Sequence, residues 1–99
     1  MTQSAQGSVI ITHDVGLHAR PSVKLTKLAK GFAAKVEIAG DRQGPWIDAK
    51  SIVKVMAMKA KQNSELHVRA HGEDAAPAVA GIIDLVKRGF DEASDHGAA

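Results

Sequence analysis

The sequence predicts an α+β domain in the order β-α-β-β-α-β-α, its antiparallel sheet carrying helices on one face and solvent on the other. Two observations predict this. "AKVEIA" at 34–39 and "ELHVRA" at 65–70 alternate strictly, apolar toward one face and charged toward the other. The stretches after His18 and after Asp74 instead repeat apolar residues at helical spacing. The 99 residues suit one domain, 1–99, with its core between 8 and 90. A chain of this length buries roughly 60–70% of its unfolded surface, enough for one modest core.

Taken in order, "MTQSAQG" at 1–7 is polar and is expected to be a flexible tail. "SVIIT" at 8–12 is β-branched and predicts the first strand. The first helix follows His18 and stops near Gly31, a residue suited to a left-handed cap. In the second strand Ala34, Val36 and Ile38 face inward, with Lys35 and Glu37 outward. "GDRQGP" at 40–45 is a turn and "WID" at 46–48 a short strand, which makes a hairpin. Ser51 suits the N-cap of a short helix through "IVKVMAM". After a loop at 61–64, the fourth strand turns Leu66, Val68 and Ala70 inward and His67 and Arg69 outward. Glu73 and Asp74 open the last helix, whose apolar set is Ala75, Val79, Ile82, Ile83, Val86 and Phe90. Pro77 falls in its first turn, where a missing N–H costs no intrahelical bond. "DEASDHGAA" at 91–99 is expected to be a second flexible tail.

Composition excludes several functions. Lys plus Arg is 13 and Asp plus Glu is 11, a net charge of +2, too balanced to imply nucleic acid. There is no cysteine, hence no disulfide framework and no cysteine-ligated metal. The aliphatic run Val9-Ile10-Ile11 is too short for a signal sequence or a membrane span, so a cytoplasmic protein without membrane insertion is expected.

"GLHARP" at 16–21 places His18 and Arg20 where a loop becomes a helix. A helix N-terminus presents unpaired N–H groups and partial positive charge, a seat for phosphate. The planar fork of Arg20 pairs with phosphate oxygens. His18 by itself also fits an ordinary loop histidine. Pro21 disfavours the α conformation at Arg20, so the helix start lies between Ala19 and Pro21. At 100° per residue, Leu28, Ala29 and Phe32 fall within about 60° of Leu25 and form the inner face. Arg20, Val23, Lys27 and Lys30 fall opposite, with Lys24 beside Val23. That strip is either a solvated lysine face or a docking strip for an acidic partner. "IVKVMAM" has six apolar residues in seven, so Ile52, Val53 and Met56 are candidates for an exposed apolar patch.

These stretches resemble HPr, the histidine-containing phosphocarrier family of the bacterial phosphotransferase system. The resemblance covers roughly residues 8–90 and rests on three ordered segments: "GLHARP", "AKSIVKVMAMKA" at 49–60 and "LHVRAHGEDAAPAV" at 66–79. It implies an open-faced β-sandwich, a four-stranded antiparallel sheet with three helices on one face. It implies that His18 is phosphorylated at Nδ1, that Arg20 stabilises the phosphoryl group, and that Ser51 is the position a dedicated kinase/phosphorylase modifies. It implies enzyme I as phosphoryl donor and a IIA domain as acceptor, docking on Val23, Lys24, Lys27, Ile52, Val53 and Met56. No cofactor and no metal are implied, and the carrier is a phosphotransferase-system component rather than an independent catalyst; a monomer is the simplest expectation. The sequence departs from the family at the 40–45 turn, about two residues longer than usual and followed by Trp46. It also has Asn63 where many members have glycine, and Asp14-Val15 before the Gly-Leu-His run.

Other readings are weaker. His13, His18, His67, His71 and His96 include no His-x-x-x-His on a helix, which counts against a metal module. An RNA-binding sheet shares the β-α-β-β-α-β order but stacks bases on aromatics, and the only aromatics here are Phe32, Trp46 and Phe90. A mainly regulatory HPr-like protein, in a nitrogen-related branch or a serine-phosphorylated form, is the alternative that stays open.

Overall fold

The computed structural model describes residues 3–12 and 19–91. Its elements are β1 (Ser4–Ile10), α1 (Ala19–Lys30), β2 (Lys35–Ala39), β3 (Ile47–Asp48), α2 (Ile52–Ala57), β4 (Glu65–His71) and α3 (Ala75–Lys87), then a 3-10 turn at Gly89–Asp91. The strands lie in the order β1-β4-β2-β3, every pair antiparallel. This is the four-stranded open sheet with three helices that the sequence predicts.

The alternating strands behave as their pattern requires. Val36, Ile38, Leu66 and Val68 are wholly buried, and they meet Leu25 and Ala29 of α1 and Ile82 and Val86 of α3. Burying each such side chain contributes about 1.5–3 kcal/mol, so this two-layer contact is the main source of stability. Lys35 and Glu65 are exposed on the other face. His67 also lies on that face, but it is buried, flanked in register by the small Ser8 and Ala39, with Nε2 3.1 Å from Glu65 Oε1.

Four expectations need correction. The first strand runs from Ser4 to Ile10, not 8–12, so Ser4–Gly7 form sheet rather than a tail; they pair with residues 68–71 of β4. Gly31 is not in a left-handed conformation: α1 ends by tightening, with Gly31 N–H donating to Leu28 O and Phe32 N–H to Ala29 O. Asp74 opens α3 as expected, as its N-cap residue, and makes no side-chain bond to its own helix. Its carboxylate instead accepts from Ala33 N–H at 2.8 Å and Ala34 N–H at 2.7 Å, pinning the start of β2. Phe90 is fully buried but is not on the α3 stripe; Gly89 (φ 63°) and Phe90 (φ 57°) turn the chain back so that the ring enters the core from beyond the helix. Asp91 closes that turn instead of opening the tail, and 92–99 lie outside the described residues. Asn63, by contrast, adopts the left-handed conformation its substitution for glycine requires, with φ 71°.

Candidate functional site

His18 lies outside the described residues; it is joined directly to Ala19, the first residue of α1. What the structure defines is the helix that begins with the next residue. α1 is 12 residues long with no acidic side chain in its first turn. Its leading amides and positive dipole end are thus not neutralised by a carboxylate of the helix itself. Pro21 sits in that first turn, buried, where its missing N–H costs nothing; its neighbour Ser22 is buried too. Those two residues anchor the first turn to the body of the protein, and Arg20 beside them is exposed. Lys27 and Lys30 occupy the last turn and complement the negative end of the dipole.

The second part of the site is α2, which packs beside α1. Ser51 is its N-cap: Oγ accepts from Lys54 N–H at 3.4 Å and the Ser51 carbonyl accepts from Val55 N–H at 3.0 Å. Asp48 prepares the entry by accepting from Lys50 N–H at 2.9 Å. Six residues make fewer than two turns, and only Val55 is fully inside. Met58, just past the helix, packs against the core in part. Val53 is 74% exposed and Met56 41%, while Val23 on α1 is 49% exposed. Ile52 is only half-buried.

The residues expected to dock a partner therefore divide. Val23, Lys27, Val53 and Met56 are exposed, and Ile52 contributes an edge. Lys24 does something the sequence could not signal: it is half-buried, and its ammonium donates to the Phe90 carbonyl at 2.8 Å, holding the C-terminal turn against α1. On the opposite, open face of the sheet, Arg69 Nε bonds Glu37 Oε1 at 2.8 Å and its guanidinium lies 4.1 Å from the centre of the Trp46 ring. Trp46, which the sequence leaves without a role, thus covers an arginine on the sheet. Among the described residues, Asp74 has its titration displaced. Its two hydrogen bonds from the backbone, the one from Ala33 foremost, hold the carboxyl below the usual carboxylate range against a smaller opposing effect of desolvation. Among the described residues no group of three or more histidine, cysteine or carboxylate side chains could hold a metal, and no helix is long and apolar enough to cross a membrane.

Comparison with known proteins shows the family and the fold. The profile of the family described as "PTS HPr component phosphorylation site" matches residues 5–88. The phosphocarrier protein NPr of Escherichia coli K12 is 35% identical over 85 residues, spanning 86% of this chain and 93% of that protein. The phosphocarrier protein HPr of Mycoplasma capricolum is 44% identical over 79 residues, 79% of this chain and 85% of that protein. Among solved structures, HPr-C-His from Thermoanaerobacter tengcongensis superposes with a TM-score of 0.81 at 26% identity, covering 89% of this chain and 97% of that one.

Proposed function

The chain belongs to the HPr family of phosphotransferase-system phosphocarriers, and from that membership we propose that it accepts a phosphoryl group from enzyme I on Nδ1 of His18 and passes it to a IIA domain. Members of the family are carriers and not independent catalysts. The observation that carries the proposal is the family match across 5–88, a span that includes "GLHARP", together with a helix from Ala19 whose first turn holds an exposed arginine and no carboxylate.

The chemistry follows from that seat. A neutral imidazole nitrogen attacks phosphorus in line, the donor's nitrogen leaves, and the charge in transit spreads over three oxygens. The Arg20 guanidinium and the leading amides of α1 stabilise that charge. The stabilisation must be moderate, because each ~1.4 kcal/mol of excess tilts transfer about tenfold toward retention. Val23, Lys27, Ile52, Val53 and Met56 would form the surface that donor and acceptor share. A kinase/phosphorylase acting on Ser51 would place about −1.5 to −2 charges at the edge of that surface. The cap position tolerates such a charge without unfolding, so partners rather than the fold would respond.

The acceptor branch has two readings. Similarity to phosphocarrier proteins named NPr and HPr fits a nitrogen-related regulatory branch and sugar transport about equally.

Incubation with enzyme I and phosphoenolpyruvate is the test. One acid-labile, alkali-stable phosphoryl group should be added, His18→Ala should abolish it in a folded protein, and Ser51→Asp should slow it, less so at high salt. Labelling that persists in His18→Ala contradicts the assignment.

A further inference from the structure

The net charge of +2 conceals an uneven distribution. Residues 19–34 and 49–64 each carry four of the 13 lysines and arginines, and neither stretch holds any of the 11 aspartates and glutamates. These stretches contain α1 and α2, which pack beside each other. Among the described residues the ion pairs lie outside both: Glu37 with Lys35 and Arg69, Glu65 with His67, and Asp84 with Arg88. Lys27, Lys30, Lys54, Lys59 and Lys61 are all exposed. Cations of one sign thus share one side of the molecule with no carboxylate of their own segments among them.

Aliphatic groups stand between these lysines. At 100° per residue Val23 falls about 160° from the buried Leu25, on the same outward side of α1 as Lys27 and Lys30. Val53 falls about 160° from the buried Val55 of α2. Val23, Val53 and Met56 are all exposed. The aromatics are elsewhere: Phe90 is buried, Phe32 is half-buried facing Gly81 of α3, and Trp46 covers Arg69 on the sheet. Single-stranded nucleic acid is held by stacking bases on aromatic rings, and this face offers none. A bilayer surface instead takes aliphatic side chains and ammonium groups together, with lysine stems lying along the apolar part.

We infer that the α1–α2 face also settles reversibly on an anionic phospholipid bilayer, with its lysines against lipid phosphates and Val23, Val53 and Met56 at the boundary of headgroups and acyl chains. The protein lies on the membrane and does not span it. Each lysine brought to such a surface tightens binding about fivefold, and the shallow aliphatic groups add to this. With no lipid chain and no aromatic anchor on the face, the contact is weak and sensitive to salt. The inference stands on this surface and not on the carrier reading; where that reading holds, lipid and enzyme I use one face and exclude each other.

Vesicle co-sedimentation at about 50 mM salt is the test. Wild type should bind vesicles of phosphatidylcholine with about one-third phosphatidylglycerol, ignore phosphatidylcholine alone, and be released as salt rises past about 0.5 M. Lys27→Gln combined with Lys30→Gln should weaken binding about 25-fold, while Lys35→Gln, on the open face of the sheet, should leave it within about twofold. Fluorescence reads the orientation. Trp46 is the only tryptophan and lies over the sheet, so its emission should not move on vesicles. Val53→Trp in a Trp46→Phe background should shift to the blue on the same vesicles. No binding to the anionic vesicles at the lower salt, equal binding to neutral ones, wild-type binding by the Lys27→Gln/Lys30→Gln protein, or a blue shift of Trp46 overturns the inference. So does capture of a single-stranded oligouridylate by a protein that ignores the vesicles, which would assign the face to nucleic acid. None of these outcomes bears on labelling of His18, so this inference and the carrier reading fail separately.

Discussion

The open face of the sheet and the α1–α2 face are both exposed to solvent, yet they treat their side chains in opposite ways. On the sheet, polar groups are matched within the molecule. Glu37 takes Arg69 at 2.8 Å and has Lys35 at 3.9 Å, Trp46 covers the arginine, Ser4 Oγ lies 3.0 Å from His71 Nδ1, and Glu65 meets His67. On the α1–α2 face, Val23, Val53 and Met56 stay exposed to water. Exposed charge that is already paired has little left to offer a partner. Exposed apolar surface beside exposed cations is unfavourable alone and favourable when covered. Under the proposed function, the contrast favours recognition on the helices and structural closure on the sheet.

The sharpest way to break the comparison is at Arg20. Arg20→Ala should slow phosphorylation by enzyme I about 30- to 1,000-fold, the ~2–4 kcal/mol typical of one donor lost from developing charge, with the fold retained. Single-turnover rates measure this, and an unchanged rate would reduce Arg20 to a surface charge. Val53→Asp should lower kcat/KM for the same step by about 5- to 30-fold, the 1–2 kcal/mol of a contact residue that also acquires a desolvated charge. Because Val53 is 74% exposed, its thermal unfolding should hardly move. If Val53→Asp transfers normally, the apolar patch is not part of the docking surface.

A third test concerns the sheet side. Asp74 has its carboxyl pKa lowered by the Ala33 and Ala34 amides. A group depressed in the folded state contributes stability that is present above its unfolded pKa and is lost as pH falls through the folded one. Wild type should therefore lose stability on acidification below about pH 4. Asp74→Asn should be less stable at neutral pH and show a flatter acid limb in pH-dependent denaturation. Equal acid limbs would mean that the clasp on β2 is not held by charge. The smallest effect is expected at Trp46. Trp46→Ala should leave the transfer rate within about twofold and cost at most ~1 kcal/mol, the range of an exposed cation–π contact. A large rate defect there would move recognition onto the sheet.

What the sequence reveals and what it conceals follow from the range of the interactions. β2 and β4 are legible because alternation with one buried face is a local signal. Asn63 is legible because its left-handed conformation is a property of the residue itself. The start of β1 is not: with polar residues facing solvent and Gly7 fitted beneath Ile83, "SAQG" reads as a tail until β4 is placed beside it. Phe90 enters the core through a left-handed turn, which has no helical period. Lys24 looks like one more surface cation, because its partner, the Phe90 carbonyl, is 66 positions away. Asp74 reads only as the start of its own helix, whereas its carboxylate accepts from amides about 40 residues earlier, at the entry to β2. At the site, motif and cap are local and legible, while the exposure of Val53 depends on how few turns α2 is allowed.

The most direct measurement is the set of backbone amide shifts of the labelled chain on titration with enzyme I. The account predicts changes centred on Arg20, Val23, Lys27, Ile52, Val53 and Met56, with Glu37, Trp46 and Arg69 unmoved. Changes centred on Glu37, Trp46 and Arg69, with the helices silent, would contradict it.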